Sequence, residues 1–200
     1  MGRILILNGS PRAPKSNSKR YARLFMDCCK ADYAEITKTN RRELCARAGE
    51  YDDLVFVFPL YADSLPVTLL DFLKALEADP PRKKPVVSVL INCGFLEYTQ
   101  NHTAVEMMAL FCKQNDWPFG SVLEIGGGEA ILDTPFRFLA AGGIKKLARS
   151  VEKGRYARFH TTMPLPKSLF LKASASYWTE YGKRSGVSKE EMQTMEIEPS

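Results

Sequence analysis

Hydrophobic positions along most of the chain alternate between short continuous runs and longer stretches with apolar residues three and four apart. Ile4-Leu5-Ile6-Leu7, Leu54-Val55-Phe56-Val57-Phe58, Val86 to Ile91 and Val122 to Ile125 are of the first kind. The first three hardly alternate with polar residues, which is the pattern of parallel strands buried on both faces. Tyr33 to Thr37 is a weaker strand candidate, suited to an edge. Between these runs lie amphipathic helices. Tyr21, Leu24, Phe25 and Cys28 share one helical face, after a Ser16-Asn17-Ser18 start that offers capping side chains. Leu69, Phe72, Leu73 and Leu76 repeat the spacing, as do Val105, Met108, Ala109 and Cys112, and Phe138 to Val151 supplies a last helix. Alternating strands and helices predict an α/β fold, a three-layer doubly wound five-stranded parallel sheet.

Past Glu152 the pattern changes. Met163-Pro164-Leu165-Pro166 breaks regular structure, and a helix carrying Phe170, Ala173, Tyr177 and Tyr181 on one face, beside Trp178, is expected after it. Ser188-x-x-Glu191 has the spacing of a capping box for a short helix. Residues 1–158 are read as one domain and 159–200 as a C-terminal helical extension of it. The aromatic face could cap a ligand or a dimer interface, pack on the sheet helices, or lie on a membrane surface.

Composition narrows the class. With 200 residues, 45% of them hydrophobic, the chain can bury a substantial core. Lys and Arg outnumber Asp and Glu by 28 to 23, a formal net charge of +5, but the basic residues are scattered. No recognition-helix or RNP-like pattern accompanies them, so no nucleic-acid partner is expected. No apolar run approaches the roughly 20 residues of a membrane span. Ile4 to Leu7 is too short for a secretory signal core. Five cysteines without a CxxC pair fit neither a disulfide framework nor a metal cluster. A reducing cytoplasm is the expected compartment. The Asn101-His102-Thr103 sequon would matter only in a secreted protein, and His102 and His160 lack ligand spacing and read as surface residues. No metal site is expected.

In an open parallel sheet, ligands bind beyond the carboxyl ends of the strands. Three segments follow strands there. From Asn8 to Ser18, Gly9 allows a tight turn, Ser10, Ser16 and Ser18 offer hydroxyls, and Arg12 and Lys15 offer charge. The helix starting near Asn17 aims its N–H groups at the same spot, a set that suits a phosphate monoester. The loop is neither a Walker A sequence nor a GxGxxG fingerprint. In the second segment, Pro59 and Pro66 stiffen the chain around Tyr61, whose ring can flank a flat ligand. In the third, Gly94 permits close approach, Phe95 offers an apolar wall, and Cys93 has no neighbour in sequence that would make it a thiolate. Gly126-Gly127-Gly128-Glu129 lets the chain turn tightly or approach a ligand, and reads first as a strand-to-helix turn.

Ile4 to Arg12 followed by Ser16-Asn17-Ser18 resembles the phosphate loop of the NAD(P)H-dependent FMN reductases, within the flavodoxin-like superfamily. Val57 to Pro66 resembles that family's P-x-Y…S-x-P flavin loop, and Ile91 to Glu97 stands where its third flavin loop does. The resemblance covers roughly residues 3–150. It implies FMN as cofactor, NAD(P)H as co-substrate, and a small-molecule electron acceptor such as a quinone or free flavin. It further implies that Ser10, Arg12, Ser16, Asn17 and Ser18 surround the phosphate. Pro59, Leu60, Tyr61, Ala62, Asp63 and Ser64, with Asn92, Cys93, Gly94 and Phe95, would then hold the ribityl chain and ring. No catalytic side chain is expected, because the flavin carries the chemistry. Many members have Asn where this chain has Ala62, and a Gly-Gly pair where it has Asn92 to Phe95; both differences bear on nicotinamide and acceptor choice. A homodimer is expected, with residues 163–182 contributing to the interface, because the stripe of Phe170, Tyr177, Trp178 and Tyr181 must be covered; the family resemblance favours a homodimer as well. The alternatives are a flavodoxin-type electron carrier, against which the positive charge weighs, and a non-catalytic flavin-binding protein.

Overall fold

The computed structural model describes residues 2–194, in two compact units divided at Met163 and Pro164. The first unit is an α/β sandwich. Its strands are β1 (Ile4–Asn8), β2 (Asp32–Glu35), β3 (Asp53–Pro59), β4 (Val86–Asn92), β5 (Phe119–Ile125) and β6 (Arg158–Thr161). Every pairing is parallel, in the order β2-β1-β3-β4-β5-β6. The sheet thus has six strands where five were expected. The added edge strand, Arg158-Phe159-His160-Thr161, pairs Leu123 with Phe159 and Glu124 with His160. As an edge strand exposed on alternate residues it lacks the apolar run that marks the central strands.

The helices are α1 (Asn17–Met26), α2 (Arg41–Ala48), α3 (Val67–Ala78), α4 (His102–Gln114) and α5 (Arg137–Glu152). Strands β1 and β3 are buried almost end to end because both sheet faces are covered. Leu5, Leu7, Leu54, Phe56, Phe58, Val89 and Ile91 face one core with Leu44 of α2, Phe72 of α3 and Met108 of α4. Their neighbours Ile4, Ile6, Val55, Val57, Leu90 and Leu123 alternate to the other face, where Tyr21 and Phe25 of α1 and Ile144 and Leu147 of α5 are also fully buried. Helix α2 was not foreseen: of Arg-Arg-Glu-Leu-Cys-Ala-Arg-Ala only Leu44, Cys45 and Ala48 are buried.

Helix α1 ends at Met26, earlier than the apolar spacing predicts. The Cys28 N–H turns back to the Phe25 carbonyl, 2.9 Å, so Cys28 is exposed and Cys29 takes the buried place. From β1 the chain crosses to β2 on one side, and from β3 it crosses to β4 on the other. The ends of β1 and β3 therefore form the topological switch point.

The second unit contains α6 (Lys167–Arg184), where the aromatic helix was expected. The Tyr177, Trp178 and Tyr181 rings lie within 5.1 to 6.4 Å of one another. The capping box is formed: the Ser188 N–H donates to Glu191 Oε2 at 2.6 Å, and the Glu191 N–H to Ser188 Oγ at 3.1 Å.

Candidate functional site

The three loops meet at the carboxyl end of the sheet because backbone hydrogen bonds stitch them together. The Gly9 N–H donates to the Val57 carbonyl, 3.0 Å, and Leu60 N–H to the Asn92 carbonyl, 2.8 Å. Gly9 is closely packed: a Cβ there would lie 3.2 Å from Leu69 Cβ, so α3 would have to give slightly.

Asn8, buried at the end of β1, organises the first loop. Its Oδ1 accepts the Ser10 N–H at 2.9 Å, and its Nδ2 donates to Tyr33 Oη at 2.9 Å and to Ser16 Oγ at 3.4 Å. Ser10 is buried, and its Oγ accepts the Arg12 N–H at 3.3 Å. Ser16 is the N-cap of α1, in extended backbone, with Oγ accepting the Lys19 N–H at 3.2 Å. Asn17 is turned toward the loop after β5, donating to the Glu129 carbonyl at 2.9 Å, while its Oδ1 accepts from Arg20 at 3.0 Å. Ser18 is only 1% exposed, and its Oγ has no hydrogen-bond partner. The structure thus gathers the five residues around one helix N-terminus, but Ser16 and Asn17 spend their side chains on internal bonds. Arg12 reaches Glu129, with Nη2 3.7 Å from the carboxylate.

The second loop leaves β3 at Pro59 and closes on itself through paired bonds between Tyr61 and Ser64, 3.1 and 2.9 Å. The two residues between them, Ala62 at φ 45° and Asp63 at φ 55°, are both left-handed. That two-residue geometry favours Asn and Gly, so Ala62 is held under strain. The Ser64 hydroxyl meets Met107 Sδ at 3.5 Å, Leu60 is half-buried, and Tyr61 is 38% exposed.

In the third loop Asn92 is buried and donates to the Phe58 carbonyl at 3.2 Å. Cys93 is buried too. Its sulfur faces the carbonyls of Phe95, Glu97 and Ile125 at 3.6 to 3.8 Å, and burial pushes the thiol up to about 11. A Cβ on Gly94 would enter open space, and Phe95 beside it is 53% exposed.

The triple glycine does more than turn the chain. Gly127 N–H donates to the Phe95 carbonyl at 2.5 Å and Gly128 N–H to the Cys93 carbonyl at 2.7 Å, so residues 126–128 back the third loop. A Cβ on Gly126 would collide with the Leu96 carbonyl, and one on Gly128 would lie 2.6 Å from Asn92 Cβ. The Tyr21 hydroxyl fixes this loop from α1, donating to the Gly128 carbonyl at 2.7 Å. Tyr21 and Glu129 were missed as site residues because their partners lie on other elements.

Beside the third loop, Tyr98 stacks on His160 at 4.2 Å, and His102 Nε2 faces the buried carboxylate of Glu124 at 3.4 Å. Asn101, the sequon residue, is fully buried. Among the described residues no group of His, Cys, Asp and Glu could hold a metal, and no helix is long and apolar enough to cross a membrane.

No family model and no curated protein matches the chain. Solved structures do. A Streptococcus pneumoniae TIGR4 flavodoxin is 15% identical with a TM-score of 0.56, over 76% of this chain and 99% of that one. The NAD(P)H:quinone oxidoreductase of Methanothermobacter marburgensis is 15% identical with a TM-score of 0.57, over 76% and 97%. An FMN-dependent NADH-azoreductase from Bacillus anthracis, solved with FMN, is 15% identical with a TM-score of 0.56, over 76% and 99%. The chain therefore has the flavodoxin-like fold.

Proposed function

We propose that this protein is an FMN-dependent oxidoreductase that takes hydride from NAD(P)H and reduces a small acceptor such as a quinone or free flavin. The observation that carries this reading is the pairing of an anion-ready helix start with exposed aromatic rings on linked loops at the switch point. FMN is a phosphate attached through a ribityl chain to a flat ring, and the residues present fit both ends. At one end stand the first N–H groups of α1, the buried unpartnered Ser18 hydroxyl, Ser10 and Arg12. At the other, Tyr61 and Phe95 expose their rings, and Gly94 leaves open space between backbone and solvent. The solved structures of similar fold include a flavodoxin, a quinone oxidoreductase and an azoreductase, which supports a redox role.

Bound FMN would supply hydride acceptance and electron transfer; the side chains bind and orient it. Asn8 and Asn92 hold the first and third loops in place through their amides, and the strained turn at Ala62 and Asp63 sets the position of Tyr61. The Cys93 thiol stays protonated and serves as a donor to loop carbonyls. The same proposal includes a cytoplasmic setting, for which the five free cysteines speak, and a homodimer using the aromatic face of α6.

Tyr61→Ala and Phe95→Ala test the ring site. Each is expected to weaken FMN, measured by flavin fluorescence titration, or to slow NAD(P)H oxidation, with far-UV dichroism unchanged. Wild-type affinity and rates in both variants would move the ring elsewhere. One-electron reduction without NAD(P)H oxidation would make the protein an electron carrier.

A further inference from the structure

The residue after the triple glycine is fixed more firmly than a loop residue needs to be. Gly128 is held by its N–H on Cys93 and by Tyr21 on its carbonyl, and the Glu129 carbonyl accepts from Asn17 at 2.9 Å. Neither Gly126 nor Gly128 can take a Cβ without displacing the third loop. The carboxylate of Glu129 is thereby delivered to the mouth of the first loop, 3.7 Å from Arg12.

The other charged pairs at this end of α1 are closer. Lys19 holds Glu35 at 2.9 Å, and Arg20 grips Asp133 through two bonds of 2.5 and 2.8 Å. The Arg12 pair is longer, and its side chains are 59% and 30% exposed. Exposed pairs of this kind contribute little. A phosphate offers Arg12 more charge and more acceptor oxygens than a carboxylate does, and the helix N-terminus favours it further.

We propose that Glu129 tunes the affinity of the anion site, competing with the ligand's phosphate for Arg12. This rests on the FMN reading above. The carboxylate opposes every anion that approaches the start of α1. A ligand that also places a flat ring against Tyr61 and Phe95 overcomes that opposition, whereas a free phosphate does not. Glu129 thus weakens FMN and small dianions alike.

The test is titration of wild type, Glu129→Gln, Arg12→Ala and the double variant with FMN, riboflavin and inorganic phosphate, at low salt. Removing one partly screened charge beside a dianion should tighten FMN about fivefold in Glu129→Gln. Riboflavin affinity, which also reports an intact fold, should stay within about twofold, because riboflavin has no phosphate to feel the charge. Inorganic phosphate should compete better in Glu129→Gln, and the FMN gain should be smaller in the Arg12→Ala background, where competition for the guanidinium is gone and only repulsion across solvent is left to relieve. If wild type binds FMN and riboflavin equally, the phosphate site itself is wrong and this inference falls with it. If wild type prefers FMN but Glu129→Gln binds it no more tightly, or more weakly, Glu129 is not a competitor and the inference alone is overturned.

Discussion

Tyr21→Phe removes one oxygen from the interior and should be felt at the site end of the sheet. The Tyr21 hydroxyl is fully buried and donates to the Gly128 carbonyl at 2.7 Å. Burial pushes the phenol well above its ordinary value, so it remains a donor throughout the usable pH range. Phenylalanine keeps the ring in its packing but leaves the carbonyl with only the Asn17 amide, at 3.5 Å. A net hydrogen bond is worth about 1 kcal/mol and an unsatisfied buried acceptor costs about 1–3, so the loss should be about 1–2 kcal/mol. For a domain of this size that corresponds to a Tm lower by roughly 3–6 °C. Urea unfolding followed by far-UV dichroism measures the change, and hydrogen exchange should show faster exchange at Gly127 and Gly128 than at β1. A stability within about 0.3 kcal/mol of wild type would refute the claim that Tyr21 anchors this loop, since that is less than any buried hydrogen bond contributes.

Three further outcomes are expected. Burial raises the Glu124 carboxyl, whose Oε1 makes no hydrogen bond; the charges of His102 and Arg158 only partly oppose this. A raised pKa in the folded state means that the protonated form suits the fold, and that this contribution is lost as pH rises through the raised value. Glu124→Gln should therefore match wild-type stability below about pH 4, near the ordinary carboxylate value, and exceed it as pH rises above that, levelling off once the carboxyl is ionised in the folded protein; a pH-independent difference in denaturation midpoint would contradict this. Ala62→Gly should raise stability by about 0.5–1 kcal/mol by relieving a left-handed alanine, and a lower Tm would mean that the methyl packs. With its thiol near 11, Cys93 should resist iodoacetamide at pH 7.5 while exposed Cys28 reacts, and Cys93→Ser should keep at least roughly a tenth of the NAD(P)H oxidation rate; complete loss would give the thiol a chemical role.

The central strands were legible because parallel strands covered on both faces must be apolar at every position, as β1 and β3 are. The same physics hid β6, an edge strand with Arg158 and His160 exposed, and α2, whose buried face is three residues wide. The phosphate loop was legible from hydroxyls and charge near a helix start. What its side chains do was not, because Asn17 and Tyr21 find their partners more than a hundred residues away, at Gly128 and Glu129. Glycine at 126 to 128 signalled a turn, but the need for close approach to the third loop arises only when β4 and β5 are neighbours. Glu124 carries a charge inside the short apolar run Val122 to Ile125, yet its partner His102 lies on the preceding helix.

The central claim is that this sheet end holds FMN and accepts hydride there. The most direct test is to titrate the purified protein with FMN and with riboflavin, then add NAD(P)H anaerobically and follow the flavin absorbance. The account predicts FMN held about tenfold or more tighter than riboflavin, as a charge-assisted phosphate contact should give. It also predicts that NAD(P)H bleaches the bound flavin and that a quinone restores its colour. Equal affinity for the two flavins, or bound FMN that NAD(P)H leaves yellow, would contradict it.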